Sequence, residues 1–114
     1  MCRVVLVVDD DPQVLEITAT MLEELGCDVI TAQTPQEALA MIASDRRIEI
    51  LITDINMPMM NGYELAAHAK RIRSGLDVIL LSGRESDGRG FPIIRKPFLQ
   101  ADLKQTMRQA TGLC

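Results

Sequence analysis

Short apolar runs alternate with helical patterns along almost the whole sequence, and few folds accommodate this order of elements. The run Arg3–Val8 is continuous and largely β-branched, which is typical of a strand buried on both faces. Apolar strands that alternate with helices favour a parallel sheet whose two faces are covered by the helices. The sequence therefore predicts an α/β fold with a doubly wound sheet of five strands, at Arg3–Val8, Asp28–Ala32, Ile48–Thr53, Leu76–Leu81 and Phe91–Arg95.

Capping signals indicate where the first two helices begin and end. Asp11 precedes Pro12, and this pair is typical of an N-cap followed by a proline in the first helical turn. Gly26 suits the end of that helix. The segment Thr34–Glu37 has the spacing of a capping box, which predicts a second helix that runs to about Ser44.

Apolar residues at helical spacing predict which side of each helix is buried. A third helix is predicted to begin near Met59–Gly62, and a last one to run from Leu99 to about Thr111. The positions expected to face the sheet are Val14, Leu15, Ile17, Met21, Leu22 and Leu25 in the first helix, Leu65, Ala66, Ala69 and Ile72 in the third, and Leu99, Leu103, Met107 and Ala110 in the last.

Composition and charge exclude several classes of function. A chain of 114 residues with 47% apolar and 25% charged residues predicts one globular domain, residues 1–114, rather than a disordered tail. Its apolar runs are far shorter than the roughly 20 residues that a membrane span needs. The net charge of −4 argues against nucleic acid as a direct partner. The scattered cysteines Cys2, Cys27 and Cys114 are expected to be reduced thiols, which favours a cytoplasmic location.

Polar side chains stand where four of the predicted strands end. The first strand is followed by Asp9, Asp10 and Asp11, the third by Asp54, the fourth by Ser82 and the fifth by Lys96. The carboxyl ends of strands in such a sheet meet at one edge, where ligands bind. Clustered carboxylates repel one another unless a cation lies among them, and Mg²⁺ prefers oxygen ligands. A lysine and a hydroxyl nearby complete an arrangement suited to phosphoryl transfer, in which a carboxylate attacks in line.

Each of these residues taken alone has an ordinary structural explanation. An Asp after a strand is more often a helix cap, which is the role expected of Asp11, and a Ser there is usually part of a turn. A single Lys is usually a solvated surface charge. The convergence of four strand ends favours a functional site, with an α/β domain that carries incidental acids as the alternative.

Four segments, in this order, resemble the receiver domain of two-component response regulators. They are Val7-Val8-Asp9-Asp10, the segment Thr53–Gly62 with the pattern D-x-x-M-P-x-M-x-G, Leu81-Ser82-Gly83, and Lys96-Pro97-Phe98. The resemblance covers nearly the whole chain, and its motifs are specific in combination. It implies a flavodoxin-like strand order 2-1-3-4-5. It also implies a phosphoacceptor limited to self-phosphotransfer and autodephosphorylation, not an enzyme.

The resemblance implies a role for each acidic residue of the motifs. Asp54 would accept a phosphoryl group from a histidine kinase or a histidine phosphotransfer protein. Asp10 and Asp54 would bind Mg²⁺ directly, whereas Asp9 would bind it mainly through water. The backbone carbonyl of Asn56 would be a further metal ligand, and the Asn56 side chain would tune dephosphorylation.

Other motif residues would act on the phosphoryl group itself. By resemblance, Ser82 would donate a hydrogen bond to one phosphoryl oxygen and Lys96 would pair with another. The peptide bond before Pro97 would be cis. Gly83 would keep access to the phosphoryl group open, and Arg84 would tune its loss.

Two departures from the family pattern affect the expected output. Ile93 stands three residues before the lysine, where the family usually has Tyr or Phe, so the usual hydroxyl–aromatic switch is absent. Only residues 83–90 separate the fourth and fifth strands, which is too short for an ordinary helical crossover. The family's fourth helix is therefore predicted to be missing or shortened. Because dimers of the family are commonly built there, we expect a monomer without an output domain of its own. It would be a stand-alone receiver or the C-terminal receiver of a hybrid histidine kinase, and the altered output face favours the hybrid or relay role.

Two other classes of protein share parts of this pattern. A haloacid-dehalogenase-like phosphatase also uses an aspartyl nucleophile and Mg²⁺, but its D-x-D motif and cap domain fit this chain poorly. A flavodoxin-like nucleotide-binding module needs a phosphate loop after the first strand. Here three acids, which would repel phosphate, occupy that place.

Overall fold

The computed structural model describes residues 3–83 and 88–111. Its strands are β1 (Val4–Val8), β2 (Asp28–Ala32), β3 (Ile48–Asp54), β4 (Asp77–Ser82) and β5 (Ile93–Arg95). Its α-helices are α1 (Pro12–Glu24), α2 (Pro35–Ser44), α3 (Gly62–Ile72) and α4 (Gln100–Thr111). All strand pairs are parallel, and the sheet order is β2-β1-β3-β4-β5. The predicted fold class and strand order are confirmed.

The helices cover both faces of the sheet and create two apolar layers. Leu6 and Val8 of β1 belong to the layer under α2 and α3, whereas Val5 and Val7 belong to the layer under α1 and α4. Successive residues of a strand point to opposite faces, so a strand buried on both sides needs apolar residues at every position. This explains the continuous apolar run from which the strand was predicted.

The connection between β4 and β5 is short. Among its described residues, Gly88–Gly90 form a 3-10 turn. Residues 84–87 lie outside the described part of the chain. With four α-helices in the described residues, the prediction that the family's fourth helix is missing or shortened is confirmed. The turn is attached to α3, because the Arg89 guanidinium lies 4.2 Å from the centre of the Tyr63 ring. Within the described ranges, no helix is long and apolar enough to cross a membrane.

The predicted caps of α1 form, and a cap that was not predicted is present at α3. Of the capping box predicted at α2, the described residues form only one half, in which Thr34 accepts a hydrogen bond from the Glu37 amide (3.1 Å). The Asp11 side chain accepts a hydrogen bond from the Gln13 amide (2.9 Å), and Gly26 after α1 has a positive φ of 95°. At α3, Asn61 accepts from the Glu64 amide, while the Glu64 carboxylate accepts from the Asn61 amide. This reciprocal capping box fixes the first turn of α3 directly after the loop that follows β3.

Three side chains predicted to face the sheet are instead exposed: Ile17 by 55%, Ile72 by 46% and Leu99 by 71%. In α1 the buried position next to Ile17 is taken by Thr18, so the buried face is rotated by one residue. Ile72 ends α3 and Leu99 precedes α4, and residues at helix ends lie beyond the sheet that buries the middle of each helix. The side chain of Ala110 lies outside the described residues.

One arginine joins three segments at the amino edge of the sheet, opposite the strand ends that carry the acids. The Arg73 guanidinium, directly after α3, donates to the backbone carbonyls of Ile42 (2.7 Å) and Asp45 (2.9 Å) at the end of α2. It also donates to the carbonyl of Ile48, the first residue of β3. The last carbonyls of a helix have no partner within it, so these bonds satisfy acceptors that would otherwise need water.

Candidate functional site

Three carboxylates meet at the carboxyl edge of the sheet. Asp9 and Asp10 follow β1, and Asp54 is the last residue of β3, which lies beside β1. One oxygen from each carboxylate lies within 4.8 Å of the others. Asp9 and Asp54 are buried, whereas Asp10 is exposed. The three acids therefore lie together, as expected from the strand ends, and their all-oxygen donor set fits Mg²⁺.

Lys96 enters the same cluster from β5. Its ammonium donates to Asp9 Oδ2 at 3.0 Å and lies 3.2 Å from Asp54 Oδ1. The Lys96 amide donates to the Ser82 carbonyl (2.8 Å), so this part of the chain is attached to the end of β4. The peptide bond between Lys96 and Pro97 is cis, as the resemblance implied.

Burial shapes the electrostatics of the cluster. It raises the pKa of the Asp54 carboxyl, and the Lys96 ammonium only partly offsets this effect, while the charge of Asp9 adds to it. Burial also opposes the charge on Lys96. Its hydrogen bond to Asp9 and its attraction to Asp54 outweigh that effect and raise the pKa of the ammonium. Lys96 is therefore a permanent cation in the site, and a further cation beside Asp54 would favour its ionised form.

Asp11 stands beside the cluster but does not join it. Its amide donates to Asp9 Oδ1 (3.0 Å), and its carboxylate accepts from the Gln13 amide as the cap of α1. The predicted capping role of Asp11 is confirmed. This role also removes the second acid of a phosphatase-type D-x-D motif from the site.

The loop from β3 to α3 is held close to the end of β3. The Ile55 amide donates to the Leu81 carbonyl (3.0 Å), and the Ile55 carbonyl accepts from the Gly62 amide (2.8 Å). A Cβ at Gly62 would lie only 2.5 Å from the Asp54 backbone oxygen. Glycine is therefore the only residue that fits at this position without a shift of the backbone. Asn56 follows in this loop and is exposed.

The remaining predicted residues lie at the end of β4 and in β5. Ser82 is buried as the last residue of β4, and its neighbour Leu81 pairs with Asp54. Gly83 is exposed, and among the described residues no atom lies within 4 Å of the place where a Cβ would stand. Arg84 lies outside the described residues. Ile93 is half-buried and packs against the apolar layer under α2 and α3.

The sequence analysis gave no role to two residues near the site, Thr53 in β3 and Met59 in the loop from β3 to α3. The Thr53 hydroxyl donates to the Asp54 backbone oxygen (3.0 Å) and lies 4.0 Å from Met57 Sδ. Met59 has a positive φ of 73° and is 88% exposed, an unusual state for a large apolar residue. The signal for Thr53 was a hydroxyl residue in an otherwise apolar strand. Nothing in the local pattern predicted the backbone of Met59.

The response regulator receiver domain family matches residues 5–108, so the chain belongs to this family. It is similar to the response regulator SaeR of Staphylococcus aureus, with 32% identity over 82 residues. That match covers 72% of this chain and 35% of SaeR, so the chain spans about a third of that relative's length.

Solved structures of receiver domains have the same architecture over nearly the whole chain. The response regulator TrrA from Thermotoga maritima, in complex with Mg²⁺-BeF, is 29% identical, with a TM-score of 0.86 and coverage of 95% of this chain and 98% of TrrA. The receiver domain of the hybrid histidine kinase CckA is 28% identical, with a TM-score of 0.83 and coverage of 94% and 97%.

Proposed function

We propose that residues 1–114 form one receiver domain that accepts a phosphoryl group on Asp54 from a phosphohistidine. The donor would be a histidine kinase or a histidine phosphotransfer protein. The observation that carries this assignment is the difference between the two buried carboxylates. Both oxygens of Asp9 accept hydrogen bonds, one from the Asp11 amide and one from Lys96. Asp54 lies against Lys96 through Oδ1, and within the described residues its Oδ2 accepts no hydrogen bond, so it is available for attack.

In this reaction the free Asp54 oxygen attacks phosphorus, and the phosphorus–nitrogen bond to the donor imidazole breaks. The bonding electrons return to the imidazole nitrogen. Lys96, already 3.2 Å from Asp54, would pair with one phosphoryl oxygen, and the Ser82 hydroxyl would donate to another. Mg²⁺ held by Asp9, Asp10, Asp54 and the Asn56 carbonyl would supply positive charge among the carboxylates and the phosphoryl oxygens.

Acetyl phosphate tests the acceptor directly. Incubated with Mg²⁺, the protein should gain one phosphoryl adduct, seen by intact mass and removed by alkaline hydroxylamine. Asp54→Asn should abolish the adduct. Asp11→Asn is the matched control, because asparagine caps a helix as well as aspartate and Asp11 lies outside the cluster. An undiminished adduct on the Asp54 variant would move the acceptor elsewhere.

The metal site is tested by thermal denaturation. Mg²⁺ bound by the folded state alone should raise the melting temperature as its concentration rises. Asp10→Asn should weaken this gain, and since Asp10 is exposed the variant should fold normally. A melting temperature that ignores millimolar Mg²⁺ in both proteins would argue against a magnesium site.

Gly83, Arg84 and Asn56 are proposed to govern access to the phosphoryl group and its loss. Because no described atom would contact a Cβ at Gly83, Gly83→Val should fold normally while slowing phosphorylation by acetyl phosphate. A normal rate in a well-folded Gly83→Val protein would contradict the role of Gly83.

We further propose that the domain serves a relay or a hybrid histidine kinase and stays monomeric on activation. Similarity to the CckA receiver domain supports this role, as does the short β4–β5 connection with Ile93 in place of an aromatic residue. The net charge of −4 supports a protein partner rather than nucleic acid. The three cysteines are scattered along the sequence without a C-x-x-C pair, which fits the reducing cytoplasm. Light scattering with Mg²⁺ and beryllofluoride tests the proposal, and a shift from monomer to dimer would contradict it.

A further inference from the structure

We infer that Thr53 is a positioning residue for the magnesium site, because its hydroxyl sets the course of the loop that carries Asn56. The inference rests on the proposed function, in which the Asn56 backbone carbonyl is a metal ligand. It concerns a residue that faces the apolar layer under α2 and α3, not the cluster of acids.

The Thr53 hydroxyl contacts the chain on both sides of Asn56. It donates to the backbone oxygen of Asp54 at 3.0 Å, on the chain before Asn56. It also lies 4.0 Å from the Met57 sulfur, on the chain after Asn56. Thr53 itself is fully buried, so neither contact is exchanged for water.

The next peptide group is fixed as well. The Ile55 amide donates to Leu81 and the Ile55 carbonyl accepts from the Gly62 amide. With the Asp54 carbonyl held by Thr53, two consecutive carbonyls before Asn56 have defined directions. The Asn56 carbonyl belongs to the next planar peptide group, which joins Asn56 to Met57. It therefore lies between these two held carbonyls and the Met57 side chain that contacts Thr53.

An apolar residue of equal size would pack better at position 53 if packing were its only purpose. Its neighbours on the same side of β3, Leu51 and Ile55, are buried and apolar. Valine has the shape of threonine without its hydroxyl, so Thr53→Val removes the two contacts and leaves the volume almost unchanged. Partners that orient metal ligands typically contribute about tenfold or more to metal affinity.

Thr18 provides a matched control. It is also fully buried, but among the described residues its hydroxyl has no hydrogen-bond partner. Thr18→Val therefore also replaces a buried hydroxyl by a methyl group, but in α1, away from the loop that carries Asn56. We expect it to leave Mg²⁺ affinity unchanged and the melting temperature equal or higher.

The test compares wild type, Thr53→Val, Thr53→Ser and Thr18→Val by calorimetric titration with Mg²⁺ and by melting in EDTA. Thr53→Val should raise the dissociation constant for Mg²⁺ about tenfold, with little change of melting temperature in EDTA. Thr53→Ser, which restores the donor, should stay within about twofold of wild type. A purely structural role of Thr53 would change the melting temperature in EDTA but not the affinity.

Equal Mg²⁺ affinity in Thr53→Val and wild type would overturn the inference. If Thr53→Val does not fold, Thr53→Ala takes its place, and equal affinities of Thr53→Ala and Thr53→Ser would have the same meaning. The proposed function fails separately, when wild type itself neither binds Mg²⁺ nor forms the adduct with acetyl phosphate. A wild type that does both, beside an unaffected Thr53→Val, refutes the positioning role alone.

Discussion

Gly62→Ala should destabilise the domain and disturb the loop that joins β3 to α3. The new Cβ would lie 2.5 Å from the Asp54 backbone oxygen and 2.8 Å from Ile55 Cα, whereas ordinary contacts begin near 3.4 Å. Both obstacles are backbone atoms, so the start of α3 must move away from β3 by up to roughly 1 Å. Overpacking of this kind costs about 1–3 kcal/mol, and the better helix propensity of alanine returns at most ~1 kcal/mol.

The net loss, up to about 3 kcal/mol, should lower the melting temperature by up to roughly 12 °C for a domain of this size. Gly75→Ala is the matched control, because no atom lies within 4 Å of its Cβ position and its φ is not positive. This variant should be neutral or stabilising by up to about 1 kcal/mol. Calorimetric melting in EDTA measures both. A melting temperature of Gly62→Ala at or above that of wild type would refute the argument from close approach.

Three further predictions concern the charges and the core. Lys96→Met leaves two buried carboxylates without their cation, so in EDTA the variant should lose about 3 kcal/mol of stability. Mg²⁺ should then raise its melting temperature more than that of wild type. Equal melting temperatures of the two proteins in EDTA would contradict this expectation. Hydrogen bonds from Arg47 lower the pKa of Asp45 from 3.8 to about 2, so this stabilisation is present above pH 3.8 and is lost as the pH falls through about 2. In urea titrations Asp45→Asn should be less stable than wild type at pH 6, and the difference should disappear below pH 2. Leu103→Ala should cost about 2–5 kcal/mol of stability because Leu103 is fully buried. Leu99 is exposed, so Leu99→Ala should change stability by less than ~0.5 kcal/mol. Similar losses in the two variants would show that the last helix is packed differently.

Strand positions could be predicted from the sequence because a strand buried on both faces needs an unbroken apolar run. Each predicted strand lies within two residues of the observed one. Helix faces were predicted less well. Apolar spacing in α1 selected Ile17, but the buried face is centred on Thr18, a polar residue that a hydrophobic pattern omits. The apolar character of Leu99 did not indicate its exposure, because contacts at a helix end depend on the path of the preceding loop.

The convergence of the acids and the lysine was predictable because topology alone decides where strand ends meet. Details that depend on individual hydrogen bonds were not predictable in this way. The sequence does not indicate that, among the described residues, both oxygens of Asp9 accept hydrogen bonds whereas only Oδ1 of Asp54 lies against Lys96. Nor does it indicate the left-handed backbone of Met59 or the direction of the Thr53 hydroxyl, since both depend on turn geometry and rotamer.

The contacts of Arg73 have a consequence for how the polypeptide could be cut and rejoined. Its guanidinium binds carbonyls on both sides of the turn between α2 and β3, those of Ile42 and Asp45 before it and that of Ile48 after it. The tip of this turn, at Arg46 and Arg47, is exposed. New termini at such a tip are tolerated when the flanking backbone stays anchored. A circular permutant opened between Arg46 and Arg47 would therefore keep both new ends fastened to the same side chain, at the edge of the sheet farthest from the acids.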